Sequence, residues 1–292
     1  MLKYLFFILL TISLNANKIP NPNNLLVTPK LAVNYATDSY LTPSAFKKKY
    51  KNSDNKVGST VYNGVRLYAI EESKYVVLIF RGTASIYNAT VDINIGSTPF
   101  MGLKGTKVHQ GFYDIAIHSK DIFREPLQKN KPMFIIGHSL GGAVSVLLGG
   151  VSQHSGYDNV VVYSFGSPAV GNIEFIKSIK GLKHYRYVHK QDVVVKLDKQ
   201  FAKTLHTSMQ KLNNMVSSSN NKDMKNIIYS LNTLIQSIDY DYVHDEYKTI
   251  IIDGKIIPSK KIKKLPFLVQ FAFLPFESHE IETYKNSLDK IY

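Results

Sequence analysis

The apolar residues of this chain recur in short runs that predict alternating strands and helices. Runs at 65–70 and 75–80, separated by a turn-like Glu-Glu-Ser-Lys segment, predict a β-hairpin. Downstream, short strand-like runs alternate with helix-like segments in the order 133–136, 140–151, 160–165, 172–180 and 185–188. This alternation is typical of a parallel sheet, so we expect an α/β fold with helices covering a central, mostly parallel sheet.

The second half of the chain has a different pattern. Apolar residues at spacings of three and four predict two amphipathic helices within 201–238, joined by the polar stretch at 217–221. We interpret them as a helical hairpin inserted into the α/β body. Residues 249–257 predict a β-hairpin around an Asp-Gly turn, and apolar residues 281, 284, 288 and 291 share one face of a last helix.

The first residues have the pattern of an export signal. Lys3 precedes an apolar run from Tyr4 to Leu14, and Ala16 follows as a small residue at the end. We expect residues 1–16 to be a cleaved signal peptide and the protein to be secreted or periplasmic; the alternative is an uncleaved N-terminal anchor. The run is shorter than the roughly 20 apolar residues that a membrane-spanning helix needs.

Composition narrows the possible chemistry. The chain has 292 residues, 44% of them apolar, which is enough for a substantial core and excludes overall disorder. It has no cysteine, which excludes disulfides, thiolate metal sites and a cysteine nucleophile. The net charge of +14 indicates either attraction to anionic partners or solubility alone, and no nucleic-acid-binding motif is present. We therefore expect hydroxyl and histidine chemistry and no binding of nucleic acid.

The sharpest local motif is Gly-His-Ser-Leu-Gly at 137–141, between a predicted strand and a predicted helix. A G-x-S-x-G pattern in this position is typical of a nucleophile on a tight strand-to-helix turn. The helix that begins there presents free N–H groups to a developing oxyanion. Ser139 is therefore the candidate nucleophile, and His138 is expected to point away from the site.

Four blocks in order resemble the class 3 lipases, which are fungal-lipase-like α/β-hydrolases. The first three are Phe-Arg-Gly-Thr at 80–83, Val-His-Gln-Gly-Phe at 108–112 and the Ser139 motif, and the fourth is the Phe-Gly-Ser-Pro segment that begins at 165. The resemblance covers about residues 30–200 and the last fifteen or so. It implies an α/β-hydrolase domain over 17–292, and residues 201–265 match no part of that pattern.

The family order of catalytic residues is Ser, Asp, His. Asp192 follows the predicted strand at 185–188, as the pattern requires, although Val194 stands where relatives usually have proline. Two histidines follow, His244 and His279, and spacing by itself favours His244. The terminal block around His279 resembles the family's histidine block, and an insertion at 201–238 accounts for the longer spacing, so His279 is preferred. The remaining histidines are interpreted as surface or packing residues.

The resemblance also assigns the oxyanion hole and the lid. The N–H of Leu140 and the N–H and hydroxyl of Thr83 are the expected oxyanion donors. Residues 84–95 occupy the position of the family's lid, with only a moderately apolar pattern. The chemistry of a Ser-His-Asp site requires neither a metal nor an organic cofactor.

Together these features predict an exported serine hydrolase of carboxylic esters. Triacylglycerol, phospholipid and small soluble esters all remain open as substrates, as does a catalytically silent lipid-binding relative. The apolar segment 265–276 follows a lysine cluster at 260–264, so it is interpreted either as a buried strand or as a lipid-facing rim that would contact anionic membranes. The sequence does not determine the oligomeric state.

Overall fold

The computed structural model describes residues 21–82, 96–122, 131–189, 192, 194–196, 242–244, 248–252, 255–258 and 280–291. The helices are α1 (Pro29–Asp38), α2 (Pro43–Tyr50), α3 (Gln110–Ile122), α4 (Leu140–His154), α5 (Ile173–Ser178) and α6 (Ile281–Asp289). The first five strands are β1 (Lys56–Tyr62), β2 (Val65–Glu71), β3 (Val76–Phe80), β4 (Ser97–Thr98) and β5 (Val108–His109). The others are β6 (Met133–His138), β7 (Val160–Phe165), β8 (Lys183–His189), β9 (Lys248–Ile252) and β10 (Lys255–Pro258).

Eight of these strands form one sheet in the order β1-β2-β3-β6-β7-β8-β9-β10. The strands from β3 to β9 in this order run parallel, whereas β1, β2 and β10 join them antiparallel at the two edges. The prediction of a mostly parallel sheet flanked by helices is confirmed. The predicted hairpins at 65–80 and 249–257 are also present, the second with its turn residues outside the described part of the chain.

Each face of the sheet is covered by its own helices and its own apolar core. One core packs α3 and α4 against residues such as Leu78, Ile135 and Val162. The other packs α1, α2 and α6 against Ile79, Ile136 and Tyr163. Alternate residues of β3 and β6 thus enter opposite cores, and this explains why the central strands are continuous apolar runs.

The sequence did not predict the helices α2 and α3 or the strands β1, β4 and β5. The helix α2 begins with a Thr42 cap followed by proline. The edge strand β1 pairs with β2 around Asn63 and Gly64, which both have positive φ. An Asn-Gly pair between two strand-like runs is a strong hairpin signal, so β1 could have been predicted.

The described part of the chain has no helix both long and apolar enough to cross a membrane. The predicted signal peptide, the helical hairpin at 201–238 and the apolar segment 265–276 lie outside the described residues and remain predictions.

The buried histidine of β5 predicts how stability depends on pH. His109 is 4% exposed and stacks on Phe112, and burial lowers its pKa from 6.5 to about 4. Between these pH values the unfolded chain binds a proton that the folded chain does not, so stability present above pH 6.5 is lost as the pH falls toward 4. The loss from this one group is about 3 kcal/mol, at about 1.4 kcal/mol for each pH unit.

His109→Phe keeps an aromatic ring in place. We expect its free energy of unfolding to fall less between pH 6.5 and pH 4 than that of the unchanged protein. Urea denaturation at several pH values measures the difference. Parallel curves for the two proteins would contradict the prediction.

Candidate active site

The strand β6 and the helix α4 meet at a strained turn that holds Ser139. Its backbone has φ 56° and ψ −125°, a conformation that L-residues rarely adopt, and it caps the N-terminus of α4. The Ser139 N–H donates to the Phe165 carbonyl at 2.9 Å, which ties the turn to the end of β7. The serine is thereby presented at the carboxyl edge of the parallel strands.

Two glycines make this turn possible because no side chain fits beside it. A Cβ at Gly137 would lie 2.1 Å from the Gly141 carbonyl oxygen, and a Cβ at Gly141 would lie 2.1 Å from the Phe80 carbonyl oxygen. Both distances are far below contact distance, and the opposing atoms belong to the backbone. The first and last glycines of the motif are therefore required by close packing of the helix on the sheet.

The residue after the serine, Leu140, is buried and is the first residue of α4. Its N–H is therefore one of the N–H groups of the first turn that have no acceptor within the helix. The chain after β3 passes directly beside Ser139, since a Cβ at Gly82 would lie 3.2 Å from the Ser139 Cβ. Thr83 itself and the predicted lid at 84–95 are outside the described residues. Their roles remain predictions from the resemblance.

Asp192 lies just after β8, two strands away from Ser139 on the same edge of the sheet. Its side chain is completely buried. One carboxylate oxygen accepts the Val194 N–H at 2.9 Å, and the other accepts the Tyr284 hydroxyl at 2.6 Å. A buried carboxylate with a hydrogen bond to each of its two oxygens is fixed in position.

Tyr284 is the contact that the sequence did not reveal. Its apolar position on the face of α6 was predicted, but its hydroxyl also reaches Asp192 and accepts the His189 N–H at 2.9 Å. Burial, together with the nearby Asp192 carboxylate, raises the pKa of Tyr284 well above its usual value. The phenol therefore stays protonated and acts as a donor to Asp192.

The two candidate histidines have different surroundings. His244 follows an isolated bridge between Val243 and Gly171, and its Nε2 lies 3.0 Å from both a guanidinium nitrogen of Arg186 and the Val195 carbonyl oxygen. A neighbouring guanidinium repels an imidazolium, which is unfavourable for a proton-accepting base. His279 lies outside the described residues.

The residues that follow His279 in the chain lie at the same edge as Ser139 and Asp192. Burial raises the pKa of Tyr40, the nearby Glu280 charge acts in the same direction, and Tyr284 contacts Asp192. The Tyr40 hydroxyl in turn lies 2.8 Å from Nδ1 of His138, the residue before Ser139. The start of α6 thus lies between Tyr40, which is near the serine, and Asp192.

His138 is 4% exposed, and its ring nitrogen is engaged by Tyr40 behind Ser139, in keeping with the expectation that it points away from the site. His109 and His184 are also buried, and His184 lies 2.7 Å from the Ser164 hydroxyl. Among the residues that the structure describes, no three His, Asp or Glu side chains come together in a way suited to a metal ion.

A mostly parallel sheet with helices on both faces, and a serine on a strained strand-to-helix turn at its carboxyl edge, together define an α/β-hydrolase fold. Residues 77–202 match the family described as Lipase (class 3). This segment includes Ser139, Leu140, Thr83 and Asp192. The match confirms, over this segment, the resemblance to the class 3 lipases that the motifs indicated.

Several proteins are similar to this chain over part of its length. A lipase from Rhizopus niveus is 31% identical over 153 residues, which cover 48% of this chain and 39% of that lipase. A secreted mono- and diacylglycerol lipase A from Penicillium cyclopium is 30% identical over 149 residues, covering 48% of each protein. The solved structure of lipase II from Rhizopus niveus has 26% identity and a TM-score of 0.49, covering 56% of this chain and 71% of that one. The chain thus matches less than half the length of these two curated relatives.

Proposed function

We propose that this protein is a serine hydrolase that cleaves carboxylic esters of lipids through Ser139, His279 and Asp192. The observation that carries the proposal is the Ser139 turn, whose strained backbone and sterically required glycines hold a hydroxyl at the free N-terminus of α4. Strain of this kind is retained where function uses it. The lipases from Rhizopus and Penicillium support an acylglycerol as the substrate class.

In the proposed mechanism, the His279 imidazole takes the proton of the Ser139 hydroxyl as its oxygen attacks the ester carbonyl carbon. The N–H groups of Leu140 and Thr83 stabilise the oxyanion that forms. Collapse of the tetrahedral intermediate expels the alcohol, which receives the proton from His279 and leaves an acyl group on Ser139. Water, deprotonated by the same histidine, then releases the fatty acid and restores the serine.

Asp192 has the electrostatic role in this scheme. It is proposed to orient the imidazole and to stabilise its charged form. Its burial supports this role because a carboxylate that is shielded from water interacts more strongly with a nearby cation. The preference for His279 over His244 rests on the contact between Tyr284 and Asp192, which brings the chain just after His279 to the aspartate.

Product analysis tests the substrate class. The protein is incubated with triacylglycerol, diacylglycerol, phospholipid and short-chain p-nitrophenyl esters, and the released fatty acids are quantified. We expect hydrolysis of the lipid esters, together with labelling of Ser139 by a fluorophosphonate. Hydrolysis of the p-nitrophenyl esters alone would favour an esterase for small soluble esters. No turnover and no labelling would favour a silent lipid-binding relative.

Tyr284 is proposed as a positioning residue, and its removal gives a prediction. Tyr284→Phe deletes the hydroxyl that donates to Asp192, so we expect kcat to fall about ten- to hundredfold, the range of a hydrogen bond to a charged group. The acidic limb of the pH–rate profile should move to higher pH because an Asp192 carboxylate with one donor fewer would stabilise a charged His279 imidazolium more strongly.

Tyr163→Phe is the matched control for this variant. Tyr163 also lies in the core between the sheet and α1, and its hydroxyl donates to the Val27 carbonyl at 2.7 Å. Both variants should lose stability, but only Tyr284→Phe should shift the pH profile. An unshifted profile for Tyr284→Phe, with kcat unchanged, would remove Tyr284 from the mechanism.

We also propose that the protein is exported and works at anionic lipid surfaces. Loss of residues 1–16 would remove only Lys3 among the charged residues, so the exported chain keeps a net charge of +13. Each lysine near an anionic surface contributes about 1 kcal/mol to binding, and salt screens this attraction beyond a distance of about 8 Å. Lys260, Lys261, Lys263 and Lys264 beside the apolar segment 265–276 are the proposed contact.

Sedimentation with vesicles tests this contact. Binding to phosphatidylglycerol-containing vesicles should decrease steeply as salt rises, and replacing the four lysines by glutamine should flatten that dependence. Hydrolysis of a soluble ester should stay unchanged in the same variant. Equal binding to neutral and anionic vesicles would contradict the proposal.

A further inference from the structure

Arg186 lies in the middle of β8 and carries a buried charge. It is 2% exposed. Its neighbours Tyr185 and Tyr187 belong to the core that packs α1 and α6, so the alternation along the strand points Arg186 toward the opposite face, which α4 covers. A guanidinium loses its hydration when it is buried, so its charge must interact with other groups of the protein. The groups that contact Arg186 therefore indicate what it does.

The first contact of Arg186 is with the segment beside the Ser139 turn. A terminal nitrogen of its guanidinium group, Nη2, donates to the Ser167 carbonyl at 3.2 Å. Ser167 in turn packs against the first turn of α4, since a Cβ at Gly142 would lie 2.9 Å from the Ser167 Cβ. The Ser139 N–H donates to the carbonyl of Phe165, two residues before Ser167. Arg186 is thus joined, through one short loop, to the turn that holds the serine.

The second contact is with the segment that follows Asp192. The same Nη2 atom lies 3.5 Å from the Val195 carbonyl oxygen, and Nε2 of His244 lies 3.0 Å from both of these atoms. A short turn joins Val195 to the aspartate, because the Val194 N–H donates to the Asp192 carboxylate at 2.9 Å. Arg186 therefore contacts the backbone three residues beyond the carboxylate as well as the loop beside the serine.

The charge of Arg186 also acts on the hydroxyl group that is bound to Asp192. Burial and the Asp192 carboxylate raise the pKa of Tyr284, whereas the positive charge of Arg186 acts on this pKa in the opposite direction. The Tyr284 hydroxyl lies 2.6 Å from an Asp192 carboxylate oxygen. A cation that acts at this hydroxyl also offsets part of the carboxylate's negative charge, because charges interact more strongly in a buried site than in water.

We infer that Arg186 is a positioning residue for ester hydrolysis, which holds the backbone beyond Asp192 at a fixed place relative to the Ser139 turn. Its charge also limits how strongly the carboxylate attracts the charged imidazole of the base. A guanidinium suits this role because its donors form a rigid, planar fork that reaches carbonyl oxygens on two separate segments. The inference rests on the proposed ester hydrolysis and extends it by adding a residue that acts through the segments it contacts.

The kinetics of Arg186→Met test the inference. Methionine keeps an unbranched apolar chain but removes the donors and the charge. We expect kcat for a soluble p-nitrophenyl ester to fall about ten- to hundredfold, the range for loss of a hydrogen bond to a charged group. KM should stay nearly unchanged, because Arg186 acts on the alignment of the site rather than on the ester. The acidic limb of the pH–rate profile should move to higher pH, since loss of a nearby cation favours the charged form of the base.

Arg186→Lys separates the charge from the donor geometry. A lysine keeps a positive charge but has no planar fork, so kcat should fall while the acidic limb stays in place. His184→Leu is the matched control, because His184 lies two residues earlier on the same face of β8, is buried, and contacts the Ser164 hydroxyl at 2.7 Å. This control should lose stability without a change in kcat or in the pH–rate profile.

The three variants separate the possible failures. An Arg186→Met protein with the kcat of His184→Leu, or with a lower kcat but an unshifted acidic limb, would refute the role of Arg186 and leave the hydrolase in place. If thermal unfolding shows that Arg186→Met is not folded, Arg186→Lys decides: a kcat below that of His184→Leu supports the role, and an equal kcat overturns it. Absence of hydrolysis by the unchanged protein would refute the proposed function itself, and with it a role for Arg186 in that reaction.

Discussion

Replacing Ser139 by alanine is expected to reduce ester hydrolysis by roughly four to six orders of magnitude and to abolish fluorophosphonate labelling. The residues of a triad act as a unit, so removal of the nucleophile leaves only the catalysis that binding and oxyanion stabilisation provide. Rates with a p-nitrophenyl ester, and mass spectrometry of the labelled peptide, measure the two effects. The loss of one hydroxyl at the turn should leave the fold intact.

Ser155→Ala is a suitable control because Ser155 follows the opposite end of α4 from Ser139. It should keep normal labelling and turnover. Labelling at a serine other than Ser139, or undiminished turnover in folded Ser139→Ala protein, would show that the nucleophile lies elsewhere.

Replacing His279 by alanine is expected to have an effect of similar size. Without a base the serine hydroxyl is a poor nucleophile at neutral pH. His244→Ala should instead lower the free energy of unfolding by about 1–3 kcal/mol, because Arg186 and the Val195 carbonyl lose a polar neighbour, and should keep turnover within about tenfold. Turnover and melting temperature are measured for both variants.

The two histidine variants control for each other. An inactive His244→Ala protein together with an active His279→Ala protein would reverse the assignment. In that case no insertion at 201–238 would be needed to explain the spacing between the aspartate and the base.

The prediction of the Ser139 turn succeeded because the constraint is local. A serine with positive φ can be followed at once by a helix that packs on the sheet only if the residues two positions before and after it lack a Cβ. Both glycines lie within the five consecutive residues 137–141, so the sequence motif contains this requirement. The central strands were predicted for a similar reason, since a strand buried on both faces must be apolar at every position.

The helices α2 and α3 were not predicted because packing against the sheet, rather than a local pattern, stabilises them. α2 has Phe46 as its fully buried residue and three lysines in its last turn, which resembles a solvated polar segment when taken alone. In the fold, Phe46 stacks on Tyr68 at a ring distance of 4.0 Å. That contact is made with a strand formed by residues farther along the chain, and no local spacing indicates it.

The sequence by itself determined the α/β class, the Ser139 turn and the order in which candidate site residues occur. The tertiary structure decided which polar groups meet: Tyr40 with His138 across 98 residues, and Tyr284 with Asp192 across 92. The physical reason is that backbone strain and apolar periodicity act over a few residues. A hydrogen bond or a charge pair between distant segments depends on sheet order and register, which are set by the packing of the whole core.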